Sequence, residues 1–151
     1  MQGLSWVPLF GVNAIEKLCY EDDFWTADKE VNPHLANRTD FQYNFKTKFF
    51  YERPISELLI KAQNGNQTIL RMPDPTKPLS HYLKLAGATN LAYVSGAVDP
   101  CKLIANVDGV SFFPNTWRIN SFHSAYHFKV RIGGHFHLIW LNPGNKGGAD
   151  T

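Results

Sequence analysis

Four histidines fall within 15 residues toward the end of the chain: His123, His127, His135 and His137. Imidazole binds metals well and changes charge near neutral pH. Histidines two apart on a strand point the same way, so His135 and His137 suit two ligands of one metal ion. They lie in "YHFKVRIGGHFHLIWLNP", residues 126–143, where two runs of bulky residues flank Gly133-Gly134. A two-residue glycine turn between such runs predicts a β-hairpin. In that register Ile132 faces His135, Val130 faces His137 and Phe128 faces Ile139. The opposite face carries Arg131 beside Phe136, Lys129 beside Leu138 and His127 beside Trp140. Only His123 then joins the metal pair easily, and no acidic residue lies between His123 and Leu141 to orient a ligand or act as a base. The competing reading has the histidines hydrogen-bonded within or beside the core.

Locally, "HFHLIWL" resembles the histidine-hydrophobic-histidine signature of HUH endonucleases, the replication initiators and relaxases. The resemblance covers residues 135–141. It implies a divalent cation held by His135 and His137 that assists a tyrosine's attack on a DNA phosphate. Initiators usually place that tyrosine after the histidines, but no tyrosine follows His137 here. Relaxases place it before them, which leaves Tyr20 or Tyr43 as candidates, with no supporting motif around either.

Other catalytic patterns are missing from the sequence. There is no P-loop, no Gly-x-Ser-x-Gly elbow and no paired-cysteine metal motif. Cys19 and Cys101 are read as two buried free thiols, with one long-range disulfide as the alternative, and the aspartates near turns as capping groups. The chain is therefore read as non-catalytic, with no cofactor expected. Aromatic residues offer a different handle. Most must fill the core, but Trp140 on the cationic side of the hairpin, with Arg131, Lys129 and Phe136, forms a candidate binding surface. Phe50, on the polar side of its predicted strand, is a second candidate.

The elements that would position these groups are mostly strands. Asn13-Ala14-Ile15-Glu16 fits a helix N-cap, and Ile15, Leu18 and Cys19 share a face, so one short N-terminal helix is expected. In "DFQYNFKTKFFYE", aromatic residues alternate with polar ones and predict a long half-buried strand. "SELLIKAQ" and "NQTILRM" around Asn64-Gly65 predict a hairpin over helical spacing. Leu79, Tyr82, Leu83 and Ala86 suggest a helix closed by Gly87. "NLAYVSG", "KLIANV", "VSFF" and "TWRINSF" read as further strands, with a second tight turn at Asp108-Gly109. Short strands at regular spacing predict a single antiparallel β-sandwich or barrel over residues 1–143, possible as a jelly roll, with residues 144–151 a flexible tail.

Bulk composition narrows the partners. With 15 Lys+Arg against 13 Asp+Glu, net charge is +2, too balanced for nucleic-acid affinity built on bulk charge, although a local basic patch stays open. No apolar run is long enough to cross a bilayer, and the first residues lack the basic start of a signal peptide. Three functions from different classes fit. The leading one is a structural or interaction subunit, capsid-like or of decoration type, that assembles with itself or with a protein partner. The alternative is a lectin-like module for carbohydrate or another ligand. The lesser alternative is a metal-dependent nuclease centred on His135 and His137.

Overall fold

The computed structural model describes residues 6–13, 18–36, 43–61, 67–95, 110–123 and 128–138. In chain order they form β1 (Phe10–Gly11), 3-10 turns at Asp23–Trp25 and Pro33–Leu35, β2 (Phe45–Lys46) and α1 (Phe49–Glu52). There follow β3 (Glu57–Lys61), β4 (Gln67–Arg71), α2 (Leu79–Leu83), β5 (Thr89–Ser95), β6 (Val110–His123) and β7 (Phe128–Leu138). The protein is mainly β and antiparallel, with two short helices among the described residues. The chain divides into two compact units: Met1–Ile55 with Asp74–Lys84, and Ser56–Pro73 with Leu85–Thr151.

The second unit is a five-stranded sheet in the order β3-β4-β5-β6-β7, curled into a half-barrel. Every strand neighbours the next in sequence, so local hydrophobic alternation is enough to set the order. The predicted hairpin between "SELLIKAQ" and "NQTILRM" is present: β3 pairs with β4 from Glu57↔Arg71 to Lys61↔Gln67. Leu58, Thr68, Leu70, Leu91, Trp117, Ile119 and Ser121 are buried on one side of the sheet. Each large apolar side chain among them contributes about 1.5–3 kcal/mol by leaving water. Two of the buried groups are also tied by hydrogen bonds. The Trp117 indole N–H donates to the Tyr93 hydroxyl at 3.0 Å. Asn120, at φ 60° in the left-handed region, donates from Nδ2 to Leu85 O at 3.1 Å. Asparagine tolerates that conformation better than most residues, and its amide bonds here offset the strain.

The first unit is organised around side chains. Its two strands are two residues each, pairing Phe10↔Lys46 and Gly11↔Phe45. A Cβ on Gly11 would sit within 2.3 Å of the Phe45 ring, so the close approach requires glycine. Lys46 is fully buried: Nζ donates to Phe24 O at 2.5 Å and Ala27 O at 2.7 Å. It also lies 5.1 Å from the ring centroids of both Phe24 and Phe50. Phe10 meets Phe24, Trp25 and Phe50 edge-on, which completes an aromatic enclosure around the amine. Burial pushes the Lys46 pKa below 10.5, against the pull of Asp28 and Asp23 and with the push of Lys84. α2 forms where the spacing of Leu79, Tyr82 and Leu83 predicts it, but ends at Leu83, before Gly87.

Cys19, expected to be buried, is an exposed free thiol. Three expectations about the elements also change. The long strand across residues 40–52 is replaced by β2 and then by α1. Partners elsewhere in the unit decide this: Thr47 N donates to Leu9 O, and Lys46 pairs with Val31, while Arg53 N closes the helical turn on Phe49 O. Tertiary hydrogen bonds here override the alternating pattern. Gly133-Gly134 is the second correction, because both glycines lie inside β7, opposite Arg118 and Trp117. The β6–β7 hairpin turns between His123 and Phe128 instead, which gives the long β6 a partner along much of its length. A glycine opposite buried Trp117 leaves lateral room for the indole. Third, "VSFF" and "TWRINSF" are one strand, β6, and not two. The predicted N-terminal helix, the strand "KLIANV" and the turn at Asp108-Gly109 rest largely or wholly on residues outside those described, as does the tail.

Candidate functional site in the terminal ladder

The β6–β7 ladder runs from Val110↔Leu138 to His123↔Phe128, with a register shift between Phe112 and Trp117. Pro114 falls within that shift, where a missing N–H disturbs pairing least. β7 closes the strand order, so its far side forms one edge of the sheet. Among the described residues no strand pairs with that edge.

The predicted metal ligands are spread along this ladder. His137 pairs with Ser111, while His123 pairs with Phe128 at the opposite end. At about 3.3 Å per residue, the nine steps from 128 to 137 separate the two positions by roughly 30 Å. His123 is therefore far from His137, because the two lie at opposite ends of the ladder. Among the described residues no three His, Cys, Asp or Glu side chains are grouped to hold a metal ion.

The predicted binding residues separate as well. Arg131 is half-buried and donates from a guanidinium nitrogen to Asn120 Oδ1 at 2.8 Å, while Lys129 is exposed. Phe136 pairs with Phe112 in the ladder. Trp140 lies outside the described residues. Phe50 is a correction: it is 0% exposed, at the centre of the first unit's aromatic cluster, and offers no surface to a ligand. It was placed on the wrong side because residues 49–52 are helical, which rotates Phe50 inward. Among the described residues, the aromatic side chains most open to solvent are Trp6 at 42% and Tyr43 at 52%.

Sequence reading passed over the groups beside Lys129 and Arg131. Strand alternation puts Arg118 on the same face, with its Nε donating to Asn90 Oδ1 at 2.7 Å. Arg71 and Lys61 continue that face across β4 and β3, opposite the buried Leu58, Thr68 and Leu70. The signal was present in the period-two alternation of each strand, but only the strand order aligns the cations. The chain matches no family model, no curated protein and no solved structure. Two features of the ladder can act chemically: a row of backbone donors and acceptors at the β7 edge, and a cationic face.

Proposed function

We propose that the protein is a non-catalytic structural subunit that assembles with itself, through its terminal sheet edge. The observation that carries this reading is β7: an 11-residue strand at the end of the sheet, with no strand on its outer side among the described residues. Such an edge presents unpaired N–H and C=O groups and templates pairing with another chain. The opposite edge is protected differently. β3 has five residues and is bracketed by Glu57 and Lys61. Two β7 strands related by a two-fold axis form an isologous antiparallel pair. Centred on Gly133, such a pair sets position 129 opposite 137 and position 131 opposite 135. The cations Lys129 and Arg131 thus avoid each other across the axis. Edge-to-edge joining of half-barrels is also a route to the sandwich or barrel that the strand spacing predicts.

Adjacent prolines test the reading. Along an antiparallel strand, successive N–H groups point alternately to the two sides. Of Lys129→Pro and Val130→Pro, one removes an N–H directed at β6 and lowers the melting temperature. The other removes an outward N–H, and the proposal expects it to dissociate the oligomer while the fold melts nearly unchanged. An oligomer that survives both substitutions contradicts assembly through this edge.

A further inference from the structure

We infer that β3 pairs with the β3 of a second copy of the chain, antiparallel and in one register centred on Leu59. β3 comes first in the strand order of the five-stranded sheet, at the edge opposite β7. Among the described residues no strand lies on its outer side. The charges that bracket this edge close it to most strands. They match one partner, which is the same strand reversed.

Two hydrogen bonds show which backbone groups are open. Along an antiparallel strand, the N–H and C=O of one residue point to one side and those of the next residue to the other. Met72 N donates to Ser56 O at 2.9 Å, so Ser56 faces β4, and Leu58 and Ile60 face it too. Glu57, Leu59 and Lys61 therefore turn their backbone groups outward. Ile55 does not extend this set, because its N–H already donates to Lys77 O at 3.1 Å. Among the described residues, the open stretch runs from Glu57 to Lys61.

The outward residues also share a face of the sheet. They alternate with Leu58, which is 5% exposed, so their side chains lie on the side away from the core. Glu57 and Leu59 are half-buried and Lys61 is exposed. Their order is acid, apolar, base. Reversed about Leu59, that order is complementary to itself. Glu57 falls opposite Lys61 of the second copy, Leu59 opposite its own equivalent, and Lys61 opposite Glu57. Residues directly opposite in such a pair hold their Cβ atoms about 4.5–5.5 Å apart, within reach for each acid to meet its base. Each of these pairs also exchanges two backbone hydrogen bonds.

Other arrangements lose the match. Centring on Leu58 sets Glu57 opposite Leu59, and Lys61 opposite Ile55, whose N–H is taken. Centring on Ile60 sets Lys61 opposite Leu59. Parallel pairing in register sets like charges side by side. The pattern thus selects one orientation and one register, by attraction in the first case and by repulsion in the rest. The contact is isologous and independent of β7. A chain with a two-fold contact at each edge of its sheet can assemble beyond a dimer.

Sedimentation equilibrium of the full chain tests the contact by exchanging its charges. Glu57→Lys and Lys61→Glu each set like charges opposite one another, and each should weaken self-association by about tenfold or more. Mixed one to one, the two variants are complementary again and should regain the wild-type mass. The double variant carrying both substitutions should regain it alone. Glu57→Lys meets Arg71 in the neighbouring strand, so melting temperatures must show that it folds. Lys61→Glu lies beside neutral Gln67, and added salt should return part of its mass by screening the repulsion. Masses unchanged by either substitution overturn the proposal, as do lowered masses that mixing fails to restore. The β7 proline variant that removes an outward N–H separates the two edges. The charge-exchange pattern should persist in that variant, and its disappearance there overturns an independent contact at β3. A wild-type chain that is monomeric at every concentration overturns the contacts at both edges.

Discussion

The two units hold themselves together by different means. In the second, backbone ladders between consecutive strands do the work, and side-chain alternation sorts core from surface. In the first, strands are two residues long, and a single buried amine reaches from β2 to two carbonyls of the segment around Phe24. A ladder distributes its stability over many bonds. A staple concentrates it in one residue. The lesson is that the first unit should be fragile to single substitutions where the second is tolerant.

The largest effect should therefore come from Lys46. Lys46→Met keeps the apolar stem but leaves Phe24 O and Ala27 O without their donor, a cost of about 2–4 kcal/mol by denaturant unfolding. Hydrogen exchange should place the loss of protection in β1 and β2, with β3–β7 amides retained. Comparable loss across both units would erase the contrast between staple and ladder.

Asn120 is the nearest counterpart in the sheet, and its effect should be smaller. Asn120→Ala keeps the left-handed strain and removes both amide contacts, costing about 2 kcal/mol. Asn120→Gly loses the same contacts but relieves the strain, so it should cost about 1 kcal/mol less than alanine. Equal costs would mean that the conformation at Asn120 stores no strain.

A pH profile sharpens the comparison further. Burial lowers the Lys46 pKa, so the unfolded chain holds the proton more tightly than the folded one. Stability should then rise with pH between that lowered value and 10.5, and Lys46→Met should abolish the rise. Tyr51 acts with the opposite sign: burial first, then Glu30, Glu52 and Asp28, raise its pKa, so stability falls above pH 10.0. The Lys46 profile is therefore best measured in a Tyr51→Phe background. The smallest effect is expected at the loop before α2. Asp74 Oδ1 accepts from the Thr76 hydroxyl at 2.6 Å and the Thr76 amide at 2.9 Å, which together hold its carboxyl below the ordinary value. Thr76→Val should move that pKa upward in an NMR titration and leave the melting temperature nearly unchanged.

The same contrast explains what the sequence could reveal. β3, β4, β5 and α2 were legible because each is specified by its own alternation or helical spacing. The aromatic stretch around Phe45 and Phe50 misled because Lys46, a residue type normally exposed, is the centre of the unit; no local pattern marks a lysine for burial. In the terminal ladder, alternation correctly grouped Lys129 with Arg131, since period two holds wherever the turn falls. Partner identities did not survive, because Gly-Gly marks a turn or a close approach equally well. His123 was grouped with His135 and His137 by its closeness in the sequence, which strand pairing does not follow. The cationic face was invisible for another reason. Arg118, Arg71 and Lys61 meet Arg131 only through strand order, which single-strand patterns do not contain.

The central claim is that β7 joins copies of the chain. Its most direct test is the mass of the full chain in solution, by light scattering over a wide concentration range. The account predicts a dimer or larger closed oligomer that persists on dilution and is indifferent to EDTA. A monomer at every concentration would contradict it.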